Sequence, residues 1–229
     1  MAIKKFSQNQ TLDMTLFKQW IDENKSGTFL ENLTITLEQA TNPNDAIKFL
    51  DNDGTYFILR TTNGATSFQM YQYHTSGGTN IIRTTEAYSQ ATAYLYGAIL
   101  CQKGMILRYY ARIGSSAYTY VYSIAITVDN NGKLSTIVGA NSVFSTDISN
   151  FITFSPTATE WGKCTAYPCF GAKSTCLAPL TIEGLTESLM LPYAFVAVKT
   201  QLLNLGLEAV QIDGKQYITN GVWYIKDGD

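Results

Sequence analysis

The residues able to do chemistry in this chain are few and poorly arranged for it. There is one histidine, His74, and it stands beside Thr75-Ser76-Gly77-Gly78, a turn-like run with no nucleophile-elbow pattern around any serine. Four cysteines are present: Cys101 lies in an apolar run, while Cys164, Cys169 and Cys176 fall within 13 positions of one another. Structural zinc needs close ligand pairs two to four residues apart and a second pair to complete the tetrahedron, and these spacings supply neither. Free, mostly buried thiols are the expectation. Carboxylates are scattered, and no two are paired by spacing as general acid and base across a sugar cleft. Asp51-Asn52-Asp53-Gly54 resembles the start of a calcium loop, but the twelfth position, which requires glutamate, is Thr62, so a turn is expected. Phosphate-cradling and dinucleotide fingerprints are missing as well. The reading is therefore of a non-enzyme with no catalytic residue, no metal and no cofactor.

What remains is surface chemistry. Tyr118, Tyr120 and Tyr122 recur at period two and form a candidate aromatic interface or glycan surface, although aromatics at that spacing are equally ordinary cross-strand packing partners. Leu16, Phe17, Trp20 and Ile21 line one face of an expected helix over 15–23, capped by Asp13 or Thr15, with Phe17, Trp20 and Ile21 its candidate contact residues. They form either the packing face of that helix or a candidate assembly surface for a neighbouring subunit.

The elements that must carry these groups are mostly strands. Alternation at Leu33, Ile35 and Leu37 opens a series of short runs at 46–50, 55–61, 67–73 and 80–84, separated by Asp-Gly, Asn-Gly and Gly-Gly turns. Longer runs follow at 93–100, 105–111, 117–128 and 133–138, the third requiring at least one bulge or twist to be shared between faces. Regularity lapses over about 143–190. It returns in a meander whose turns are Asp213-Gly214 and Asn220-Gly221, with Ile212, Tyr217, Val222 and Tyr224 as packing candidates. These signals predict a mainly β chain: an arm and short helix over 1–29, then an antiparallel β-sandwich or barrel-like domain over 30–229 with a long irregular excursion.

Composition narrows the partners. Of the 229 residues 45 % are hydrophobic but only 15 % charged, against about 25 % in an ordinary soluble domain, and the net charge is −2. Without a basic excess, nucleic acid is not an expected partner. No run approaches the roughly 20 apolar residues of a membrane span, and the polar start is unlike a secretory signal, so neither membrane insertion nor export is expected. Sparse lysines leave few charges to block strand edges, which favours a homo-oligomer.

Three segments carry a family resemblance: Leu191-Pro192-Tyr193-Ala194-Phe195, the run from Ile212 through Asp227, and the run from Ile124 through Leu134. Together they resemble small virion structural proteins of tailed bacteriophages and prophages of gut Firmicutes. The resemblance implies a repeated, non-enzymatic subunit of head, neck or tail, bound to other virion proteins, made in the bacterial host cytoplasm and resident in the virion. The rival expectation is a glycan- or receptor-binding module at the particle or cell surface, contacting host-surface glycan.

Overall fold

The computed structural model describes residues 3–8, 13–39, 46–54, 56–62, 67–73, 81–84, 91–113, 119–130, 132, 134–142, 152–154, 162–166, 177–183, 188–197, 207–220 and 223–228. The chain is mainly β-strand, arranged in antiparallel sheets with one short N-terminal helix.

The chain opens with β1 (Lys4–Gln8) and helix α1 (Met14–Asn24). Asp13 starts the helix, its Oδ1 accepting hydrogen bonds from the amides of Thr15 (2.8 Å) and Leu16 (3.2 Å). This satisfies two of the donors that every helix start leaves without an intrahelical partner. Five strands then form the smaller sheet in sequence order: β2 (Thr34–Glu38), β3 (Ala46–Leu50), β4 (Tyr56–Thr62), β5 (Ser67–Tyr73) and β6 (Ile81–Thr84). Phe49 and Phe57 sit directly opposite each other in this sheet and stack at 4.5 Å. The Asp51–Gly54 segment is a turn closed by the Gly54 amide on the Asp51 carbonyl at 3.0 Å.

The larger sheet contains β7 (Ala91–Leu100), β8 (Gly104–Ile113), β9 (Thr119–Val128), β10 (Leu134–Ser142), β11 (Ile152–Phe154), β12 (Gly162–Ala166), β13 (Leu177–Glu183), β14 (Ser188–Ala197), β15 (Glu208–Ile212), β16 (Lys215–Thr219) and β17 (Trp223–Lys226). Its order is β1-β7-β8-β9-β10-β11-β12-β13-β14-β17-β16-β15. The expected polar arm is thus an edge strand, β1, paired along its length with β7. The stretch 143–190, expected to be irregular, contributes β11, β12, β13 and the start of β14. Its Ser/Thr-rich and Pro-containing runs hide short strands because backbone pairing with neighbours, rather than side-chain alternation, defines them.

Over 97–107 and 124–127 the strands β7 to β9 are covered on both faces. Ala98, Leu100, Met105, Leu107, Ile124 and Ile126 join Met14, Phe17 and Ile21 of α1, Leu30, Leu33, and Ile35, Ile47, Phe49, Phe57 and Leu59 of the smaller sheet in one core. The alternate residues Ile99, Ile106, Ala125 and Thr127 are equally buried. They lie on the opposite face, where β8 meets β16 and β17 and β9 meets β14. Burial on both sides explains why these strands read as nearly unbroken apolar runs. It also removes the need for a bulge in β9, whose register runs without a shift against both β8 and β10.

In the C-terminal meander the fully buried side chains are Ile218, Trp223 and Ile225, with Tyr217 close behind at 7 % exposed. Ile212 and Tyr224 are only half-buried, and Val222 lies outside the described residues. Alternation places Ile218 and Ile225 on the covered face and Tyr217, Thr219 and Tyr224 on the other.

Candidate functional site

The turn joining β7 to β8 gathers distant parts of the chain. The Cys101 amide donates to the Gly104 carbonyl at 2.9 Å, which closes the turn. The Gln102 carbonyl accepts from the Phe29 amide at 2.9 Å, and the Gln102 amide donates to Asp227 Oδ1 at 2.8 Å. Thr127 Oγ1 donates to the Lys103 carbonyl at 2.8 Å, while Lys103 Nζ stands 4.7 Å from the Tyr193 ring centre. Cys101 itself is 1 % exposed. Burial, foremost, pushes its thiol up to about 12, with the nearby Asp227 charge acting in the same direction and two backbone hydrogen bonds opposing it. A thiol so held stays protonated at neutral pH and is a poor nucleophile. The junction thus ties the segment after α1, the end of β9 and the segment after β17 to one turn.

The surface groove has a different character. Thr15, Lys18, Gln19, Asp22 and Glu23 on the outer side of α1 face Ile35, Thr36 and Leu37 of β2 across an open cleft of about 790 Å³. Lys18 pairs with Asp22, Lys25 approaches the same carboxylate at 3.8 Å, and Gln19 Nε2 donates to Glu23 Oε1 at 3.0 Å. Lys18 and Lys25 thus balance the Asp22 carboxylate at i,i+4 and i,i+3 spacing, while Glu23 keeps its charge beside the Gln19 amide. Among the described residues its lining mixes amides, charged groups and aliphatic side chains.

The residues singled out from the sequence fall in three places. Phe17 and Ile21 are fully buried in the core beneath this groove. Trp20 is half-buried and packs on the pair formed by Phe6 and Phe17, with ring centres 5.4 and 5.8 Å away. The apolar face of α1 is therefore turned toward the chain's own core, while Leu16, 50 % exposed, and the polar side face outward. Tyr120 and Tyr122 lie in β9, opposite Ala111 and Tyr109 on one side and Ser142 and Ala140 on the other. Tyr118, His74, Cys169 and Cys176 lie outside the described residues. Cys164 is in β12, opposite Ile182.

A second surface is formed by the face of the C-terminal sheet that carries Tyr217 and Tyr224, together with its edge strand β15. Phe195 meets the Tyr217 ring edge-on at 5.9 Å, and Tyr217 meets Tyr224 at 6.5 Å. Burial, then the Asp213 charge, raise the Tyr217 pKa above its ordinary value. Beyond them β15 ends the sheet, with Glu208, Ala209 and Gln211 exposed. The sequence signal for this edge was the Asp213-Gly214 turn, which fixes where β15 stops and hence its register.

Among the described residues no group of three His, Cys, Asp or Glu side chains is placed to hold a metal ion, and no helix is long and apolar enough to cross a membrane. Comparison with protein-family models, with curated proteins and with solved structures finds no match.

Proposed function

We propose that the chain is a structural subunit of a tailed-bacteriophage particle, acting without catalysis in the head, neck or tail as a homo-oligomer alongside other virion proteins. The observation that carries this reading is a rigid, doubly covered strand layer combined with exposed sheet edges. Over 97–107 and 124–127, β7 to β9 are packed on both faces, whereas β15 ends the twelve-strand array with Glu208, Ala209 and Gln211 exposed. Such a chain resists deformation and offers strand edges for repeated contact. Its architecture is that of a β-sandwich in which the large sheet turns back, setting β14, β16 and β17 over β8 and β9. Assembly would occur after synthesis in the host cytoplasm, and the mature location is the virion. Antibodies raised against the purified chain should decorate isolated particles at symmetric positions in negative-stain images; particles from a producing host that carry no such label refute the reading.

A second reading, a glycan- or receptor-binding module, is favoured by the half-buried Phe195 and Tyr224 rings beside Tyr217 on the outer face of the C-terminal sheet. It requires saccharide titrations to perturb the tyrosine resonances of that face, and unchanged spectra at tens of millimolar saccharide exclude it.

A further inference from the structure

The edge strand β15 is the place to ask what the chain binds, because its register fixes which backbone groups point outward. β15 and β16 are joined by the two residues Asp213 and Gly214, with φ of 49° and 76°, and pair Ile212 with Lys215, Gln211 with Gln216, Val210 with Tyr217, Ala209 with Ile218 and Glu208 with Thr219. These positive φ values are those of the tight turn that matches strand twist, and the flanking pair, Ile212 and Lys215, then exchanges both of its hydrogen bonds. Antiparallel pairs alternate, so Gln211 and Gln216 do not bond each other. An independent contact agrees: the Gln216 carbonyl accepts from the Asp227 amide at 2.8 Å, on the side away from β15. The N–H and C=O of Gln211 therefore aim out of the sheet, and by the same alternation so do those of Ala209. Both residues are exposed.

Of the other described edges, β1, β2 and β6, the first two are protected in ways that β15 is not. β1 carries exposed Lys4 and Lys5, and β2 is overlain by α1. β15 has no lysine and no proline, and its only charge is Glu208. We propose that β15 pairs with β15 of a second copy of this chain, antiparallel and two-fold symmetric about Val210. In that register Ala209 of each copy exchanges both backbone hydrogen bonds with Gln211 of the other, so all four outward groups of each strand are satisfied. Val210 then faces its symmetry mate as a close, non-bonded pair. Glu208 falls opposite Ile212 of the second copy, and Lys215 of that copy flanks the same Ile212. With strands about 4.8 Å apart, the two charged residues stand roughly 10 Å apart along one row of one face, near enough for their long side chains to meet over Ile212. The two-fold axis makes this complementary pair twice, and no like charges are opposed. The pairing specifies one partner for the assembly described above and rests on that reading only for its biological setting.

The test is the light-scattering mass of the full chain over a concentration series, for the parent and five variants. The parent should form a dimer. Val210→Lys sets two like charges directly opposite and should raise the dimer Kd by about tenfold or more. Gln211→Pro removes an outward N–H without touching the β16 ladder and should also favour the monomer. Glu208→Lys alone should weaken the dimer, and Glu208→Lys with Lys215→Glu should restore it. Val210→Cys should yield a disulfide-linked dimer on mild oxidation. Circular dichroism of each variant separates loss of pairing from loss of fold. A parent that stays monomeric, or a dimer indifferent to Val210→Lys and Gln211→Pro, overturns the pairing, while antibody labelling of particles in that event leaves the particle reading standing. Unlabelled particles with a Val210-dependent dimer do the reverse.

Discussion

Gly104→Ala probes the packing of β8 between its two neighbours. A Cβ at residue 104 would lie 2.7 Å from the Ile126 carbonyl oxygen, 2.8 Å from Ile225 Cγ2 and 2.9 Å from Ile225 Cδ1. Carbon atoms rest at about 3.5–4.0 Å, so on the order of 1 Å must be found on the Ile225 side. The Ile126 oxygen belongs to the backbone of β9, which is laddered to β8, and Ile225 is fully buried in β17. Neither can retreat freely. Overpacking of this kind costs about 1–3 kcal/mol, and the lower freedom of alanine in the unfolded chain offsets about 0.4–1 kcal/mol of it. Because the obstruction is two-sided and half of it is backbone, the upper part of that range applies, leaving a net loss of about 2 kcal/mol. For a chain of this length the melting temperature should fall by about 4–8 °C. Thermal unfolding followed by far-ultraviolet circular dichroism, with urea titration as a second route, reads this directly. Ile225→Ala removes the β17 half of the obstruction, so the double variant should be less destabilised than the sum of the singles by about 0.5–3 kcal/mol. A Gly104→Ala protein as stable as the parent, or an additive cycle, would refute the close approach of these layers.

Four further outcomes are expected. Cys101 should resist iodoacetamide at pH 8 until the protein is unfolded, as peptide mapping by mass spectrometry will show. Its proton is kept to about 12 in the folded chain but only to about 9.0 when unfolded. The thiol therefore leaves stability unchanged below pH 9 and lowers it by up to about 1.4 kcal/mol per unit as pH rises above that, a slope that Cys101→Ala should flatten in denaturant titrations at pH 8 to 10.5. Asp13→Ala removes the cap accepting from Thr15 and Leu16 and should cost about 1 kcal/mol, measured as a lowered urea midpoint. Asp227→Ala frees the Gln102 amide, whose hydrogen-exchange protection should drop while the core amides of β9 keep theirs.

The elements most legible in the sequence were those whose side chains alternate and whose turns carry their own chemistry. The helix was expected over 15–23 and spans Met14–Asn24, because Asp13 and the spacing of Phe17, Trp20 and Ile21 are both local signals. The Asp213-Gly214 turn was likewise readable, since only a few residue types accept two successive positive φ values. The strand β1 was hidden because Lys4-Lys5-Phe6-Ser7-Gln8 has no alternation of its own and is defined by pairing with β7. In the meander, Tyr217 and Tyr224 drew attention as aromatics, yet the deeper residues are Ile218, Trp223 and Ile225. Which face of such a ribbon is covered depends on β8, a strand more than a hundred residues away, and no local pattern encodes that. The groove beside α1 was invisible for the same reason: the apolar side of the helix was readable, but the strand that its polar side would meet was not.

The bond between the Gln102 amide and Asp227 spans 125 residues, and Ile225 covers the same end of β8. A ribosome adding roughly 5–20 residues per second reaches Asp227 about 6–25 s after Gln102. Throughout that interval the sheet face formed by Ile99, Ile106 and Ala125 has yet to receive its cover from β16 and β17. Each new chain thus passes through a nascent stage with an apolar leaflet open to water, a window in which neighbouring nascent chains or chaperones compete with its own C-terminal strands.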